Sequence, residues 1–193
     1  MALVLVLAAP ASATGALSVS LAAAGHPESV LTAVWDGQER QKATIELGLE
    51  SDLYALVAGE SAPPLLLRVQ PAQPGARVSV RQRSVTYLNL SEEGPHIAVP
   101  GTEGRSAWST LTTASADSFQ VRDTDPQTVR MDRRHLAAVL AGQPTWLKLA
   151  QACRGQDDGA CYTVTDPEFE ITVITADGRS THAIVRVEYP NGC

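Results

Sequence analysis

The chain has 193 residues, 44% of them hydrophobic and 19% charged, with a formal net charge of −6. That balance describes a folded globular protein with material for a substantial core, in one domain or two small ones, and excludes general disorder. It also excludes nucleic acid as a partner, because neutralising phosphate takes clustered Lys and Arg.

The opening, MALVLVLAAPASATG, pairs an apolar run with the small residues Ala11-Ser12-Ala13. It reads as the apolar core and cleavage site of a secretory signal, although no basic segment precedes it. Residues 1–13 are therefore expected to be a signal-peptide remnant, and the protein to be periplasmic or secreted. The run is too short to cross a bilayer and no later one approaches ~20 apolar residues, so no membrane span is expected.

Alternation then dominates. Leu17, Val19 and Leu21 share one face of a first strand, with Ser18 and Ser20 on the other. Val30 to Trp35 forms a second strand, ended by Asp36-Gly37. Ala43, Ile45, Leu47 and Leu49 alternate with polar residues in a third, and 52–58 make another. The segment from Ala62 to Pro71 is bracketed by Pro63, Pro64 and Pro71, which suits an edge strand, where missing amide donors cost least. Arg77 to Val80 and Ser84 to Leu90 continue the pattern. Residues 91–106 hold several glycine and proline breaks and are the best boundary or long loop.

Past that loop, 117–122 and 128–131 read as short strands. Asp132 to Ala141 reads as the one helix, with Asp132 as N-cap, an apolar stripe of Leu136, Val139 and Leu140, and Gly142 with Pro144 as its stop. Trp146 to Ala152 and Tyr162 to Thr165 resume the strand habit. Two further alternating runs flank Ala176-Asp177-Gly178, the strongest hairpin signal in the chain. The fold class is mainly β, antiparallel, in two sheets or two small sandwiches, with one short helix in the C-terminal half. Residues 14–92 form one sandwich domain, and 107–193 form either a second β-rich domain or a continuation of the first.

Cys153 and Cys161 bracket the polar loop CRGQDDGAC. Read as the ends of two strands, they sit at a hairpin base, where Cβ atoms come within ~4.5–5.5 Å, close to disulfide range. Closing so short a loop stabilises by about 2–3 kcal/mol, and only in an oxidising compartment, which agrees with export. Cys193 is the alternative partner for either thiol. The spacing is wrong for a metal site and no His lies nearby, so neither metal nor cofactor is expected. Asp157 and Asp158 read as an acidic turn.

No nucleophile elbow, phosphate loop, zinc-binding helix or dinucleotide fingerprint occurs. His26, His96, His135 and His182 lie far apart. Asp123-Thr-Asp125 resembles the opening of a calcium loop, but Thr128 stands where that loop requires glycine. With no local catalytic constellation the chain is read as a non-enzyme, and an enzyme built from dispersed residues is the remaining class.

Three stretches carry a resemblance: ALSVSL (16–21), ESVLTAVWDGQERQKATIEL (28–47) and APPLLLRVQPAQPGARVSV (62–80). In this order they resemble the N-terminal immunoglobulin-like domain of PapD-like periplasmic pilus chaperones, and SVTYLNL (84–90) is similar to the strand that those chaperones lend to a pilus subunit. The resemblance implies that the sandwich is immunoglobulin-like, and that the protein is periplasmic and binds another protein in pilus or surface-structure assembly, with a pilin-like subunit as partner. It places Arg81 or Arg83 at a carboxylate anchor, and Val85 and Tyr87 on the face offered to an acceptor groove. Thr14, Gly15 and Ala16 supply no basic group where the family has the other half of its anchor. A second expectation is an inhibitor or immunity protein, its loop projecting Asp157 and Asp158 into the cleft of a basic envelope enzyme.

Overall fold

The structure is a computed structural model and describes residues 17–35, 41–46, 63–71, 73–91, 96–129, 132–153 and 161–188. The expected strands at 52–58, the loop carrying Asp157 and Asp158, Cys193 and the opening segment lie outside these residues.

The first sheet is built from β1 (Leu17–Ala23), β2 (His26–Trp35), β4 (Leu65–Pro71), β9 (Thr113–Ser115) and β10 (Ser118–Gln120), in the order β2-β1-β4-β10-β9. The second has the order β3-β12-β11-β5-β6, from β3 (Gln41–Glu46), β5 (Arg77–Ser91), β6 (His96–Ala98), β11 (Cys161–Ile174) and β12 (Ser180–Glu188). Two short strands, β7 (Gly104–Arg105) and β8 (Ser109–Thr110), also pair with β5. Among the described residues every pairing is antiparallel except that of β12 with β3.

Period-two alternation decides which side of each strand is buried. Leu17, Val19 and Leu21 face inward from β1, opposite Pro71, Val69 and Leu67 of β4. From the other sheet, Val80, Phe169, Ile171, Val173, Val185 and Val187 meet them in one core. Each such side chain, taken from water, stabilises by roughly 1.5–3 kcal/mol, so the two sheets are held face to face as a sandwich.

The proline-bracketed segment is an interior strand, not an edge. β4 lies between β1 and β10, because Pro63 and Pro64 precede its first paired residue and Pro71 is its last. No mid-strand amide is missing. Likewise 77–80 and 84–90 belong to one 15-residue strand, β5, and 162–165 merge with 169–173 in the 14-residue β11. Pro167 is tolerated within β11 because the ladder to β12 starts at Glu168, one residue later. β11 pairs with β5 from Cys161↔Leu90 to Ile174↔Arg77, joining strands from both halves of the chain. The Asp-Gly turn forms as the sequence dictates: Gly178 N–H donates to Thr175 O, and Gly178 at φ 81° takes the left-handed position of a three-residue hairpin loop.

Among the described residues two helices are present where one was expected. In α1 (Arg133–Val139), the Asp132 side chain accepts from Arg134 N–H at 2.9 Å as the N-cap. Trp146 to Ala152, read above as a strand, belongs instead to α2 (Pro144–Ala152). Pro144 stops α1 but opens α2, its fixed φ suiting the first helical position. Trp146, Leu147 and Ala150 then fall at helical spacing and pack with Leu136 of α1 and its C-cap residue Leu140 against Leu88 and Leu90 of β5. Gly101, at φ 77°, turns the chain so that Pro100 O lies 2.8 Å from His135 Nε2 on α1; a Cβ at Gly101 would meet that ring.

Between the sheet core and this helical cluster the inner face of β5 is polar. Gln82, Ser84 and Thr86 are buried there. Their side chains hold an extended connection, residues 121–129, by hydrogen bonds to Arg122, Asp125 and Gln127. Those bonds satisfy groups that burial would otherwise penalise by ~1–3 kcal/mol each.

Candidate functional site

On the opposite face of β5 the side chains of Arg81, Arg83, Val85 and Tyr87 follow one another at alternate positions, as the sequence requires. The β5–β11 register sets Arg81 opposite Glu170 and Arg83 opposite Glu168. Arg81 Nε donates to Glu170 Oε2 at 2.5 Å and Arg83 Nε to Glu168 Oε1 at 2.6 Å; both pairs are also salt-bridged through Nη2. One residue pair further, Asp166 Oδ2 accepts from Arg186 Nε of β12 at 3.1 Å. Arg186 also lies 3.8 Å from Glu188 and 4.5 Å over the Tyr87 ring.

Trp108, between β7 and β8, completes the surface. The Arg83 guanidinium lies 4.3 Å from its ring centroid and that of Arg81 5.6 Å, both within cation–π range. Exposure grades along the row: the Arg81 side chain is 48% accessible, Glu170 24%, and Asp166 0%. One end is therefore open to contact and the other is internal.

Val85 and Tyr87 share this face and are buried at 0% and 5%. β5 itself lies inside its sheet, with β11 on one side and β8, β7 and β6 pairing successive stretches of the other. Arg81 and Arg83 are thus brought together with acidic and aromatic partners. Asp157 and Asp158 lie outside the described residues.

The sequence reading missed Trp108, Asp166, Glu168, Glu170 and Arg186 as members of one cluster. A usable signal existed: Arg-x-Arg on one strand and Asp-x-Glu-x-Glu on another are complementary rows at period two. Only the register, which joins residues 85 and 89 positions apart, makes them neighbours.

Cys153 and Cys161 form a disulfide, with Cα atoms 6.0 Å apart. Its setting differs from the expected hairpin. Cys153 is the C-cap residue of α2 and Cys161 the first residue of β11, so the bridge ties a helix end to a strand start. Both cysteines belong to the helical core cluster. Among the described residues no group of three or more His, Cys, Asp or Glu could hold a metal ion, and no helix is long and apolar enough to cross a membrane. His182 Nδ1 lies 3.1 Å from Thr172 Oγ1.

No protein-family model matches the chain, and neither a curated protein nor a solved structure does.

Proposed function

We infer that this is an exported β-sandwich protein, immunoglobulin-like in kind, that binds another protein as a chaperone or accessory factor in assembling pili or other surface structures. The observation that carries the binding reading is the Arg81–Trp108–Arg83 stack, fixed from below by Glu168 and Glu170 and open at the Arg81 end. Tryptophan and arginine dominate protein-binding hot spots, and side chains already held in place lose little entropy on contact. The buried Cys153–Cys161 bond supports a compartment where thiols oxidise. This reading needs surface contact, and leaves β5 in its own sheet.

The test is a pull-down from a periplasmic extract with the wild-type chain, Arg81→Glu and Trp108→Ala. A pilin-like subunit retained by wild type and lost by both variants is the expected result. Equal retention by all three removes the Arg–Trp surface as the binding site. A second reading, the enzyme inhibitor, is favoured by the burial and bridging of Cys153 and Cys161, the residues that flank Asp157 and Asp158 in sequence. Asp157→Ala with Asp158→Ala should then weaken capture of a basic envelope enzyme at least tenfold, and unchanged capture would discard it.

A further inference from the structure

Where the two sheets part, on the inner side of β5, lies an open cleft of about 1160 Å3. Pro64, Leu65 and Val121 give it an apolar lining, and Thr110, Thr112 and Thr165 a hydroxyl-bearing one. Arg122, Asp123 and Thr124 line the cleft and belong to the connection that β5 holds by its side chains.

The geometry of that connection is informative. Its anchors on β5 are Gln82, Ser84 and Thr86, two residues or ~6.8 Å apart. From Asp125 to Gln127 the connection also spends two residues, whereas from Arg122 to Asp125 it spends three. Asp123 and Thr124 lie between the two anchored amides, and both line the cleft. Among the described residues neither backbone N–H makes a hydrogen bond, whereas those of Val121, Arg122, Asp125 and Gln127 all do.

We propose that this cleft binds an extended segment of a partner polypeptide, paired by its main chain to the Asp123 and Thr124 amides, with alternate side chains against Pro64, Leu65 and Val121. The inference rests on the protein-binding reading above and adds a second contact on the opposite face of the same sheet. Three features select the occupant. The volume exceeds the ~300–1,000 Å3 of small-molecule pockets, so the ligand is chain-like. No aromatic side chain lines the cleft among the described residues, so the stacking platform used for sugars and bases is missing. Unpaired amides beside an apolar strip are what an extended peptide uses, the former for affinity and the latter for side-chain choice.

The test pans the full chain against a displayed random dodecapeptide library, then measures the enriched peptide by fluorescence anisotropy and by amide chemical shifts. The expected peptide alternates apolar and polar residues, shifts the Asp123 and Thr124 amides, and binds at least tenfold more weakly when its alternate amides are N-methylated. Thr112→Arg, a substitution at an exposed position, should block the cleft with the same tenfold loss and an unchanged melting temperature. Thr124→Pro, which removes one of the two amides, should weaken binding similarly. The proposal is overturned by an empty selection, by a peptide that leaves both amides unshifted, or by an envelope oligosaccharide that shifts them when no peptide does. Should the pull-down partner survive Thr112→Arg but not Trp108→Ala, the cleft loses its role and the protein-binding reading stands.

Discussion

Asp166 shows how much of this protein's surface chemistry is also structure. Its carboxylate is buried, and Arg186, itself only 19% accessible, is the cation beside it. Removing one partner of a buried ion pair leaves an uncompensated charge, at about 3–5 kcal/mol, whereas removing both is often tolerated. Arg186→Met is therefore expected to lower unfolding free energy by about 3 kcal/mol in urea titration. Adding Asp166→Asn should recover part of that loss, and a double variant less stable than the single would contradict this account. At the other end of β11 the sign can be read in pH. The Thr175 hydroxyl bonds the Asp177 carboxylate and, with the Arg179 amide and charge, holds its pKa below the ordinary value of 3.8. A depressed folded-state pKa means stability present above the ordinary carboxylate value and lost as pH falls through the folded one. The hairpin amides of Thr175 and Gly178 should accordingly lose exchange protection in acid, and Asp177→Asn should abolish that pH dependence.

At the scale of elements, the sequence announced whatever depends on near neighbours. The inward face of β1, the Asp132 cap of α1 and the Asp-Gly turn all rest on contacts within a few residues. What depended on distant partners was illegible. Pro63, Pro64 and Pro71 mark an edge only if β10 is not there to pair with the middle of β4. Trp146 to Ala152 contains apolar residues compatible with either period, and the decision for helix comes from the Leu88 and Leu90 surface that α2 covers. The same limit applies to the candidate site, where Arg81 and Arg83 were visible and their glutamates were not. The helical cluster follows ordinary core energetics. Leu140, at 1% exposure between α1 and β5, should cost about 2–5 kcal/mol when replaced by Ala. Cys153→Ser with Cys161→Ser should cost about 2–3 kcal/mol, since the closed loop is short; denaturant midpoints of the two variants check both values.

At the scale of the molecule, the described residues form two apolar clusters, one between the sheets and one under the helices, separated by the polar stretch of β5 around Gln82, Ser84 and Thr86. Apolar contact does not bridge that stretch, but backbone does. β5 and β11 run through both clusters with pairing unbroken from Arg77 to Leu90, and the 121–129 connection is pinned across the gap by side-chain hydrogen bonds. A long ladder of this kind transmits unfolding, because fraying one end exposes the amides of the next pair. The clusters should therefore open as one unit. Native-state hydrogen exchange checks this: Leu140→Ala, placed in the helical cluster, should lower protection of Val80 and Ile171 in the sheet core by the same free energy as that of Leu88 and Leu90. Protection lost at Leu88 and Leu90 alone would divide the chain into two independently folding parts. Gln82→Ala discriminates further, since it cuts both hydrogen bonds to Arg122 without touching either apolar cluster. If the connection helps to couple the two, that variant should leave each cluster folded and yet let the helical one exchange at lower free energy than the sheets.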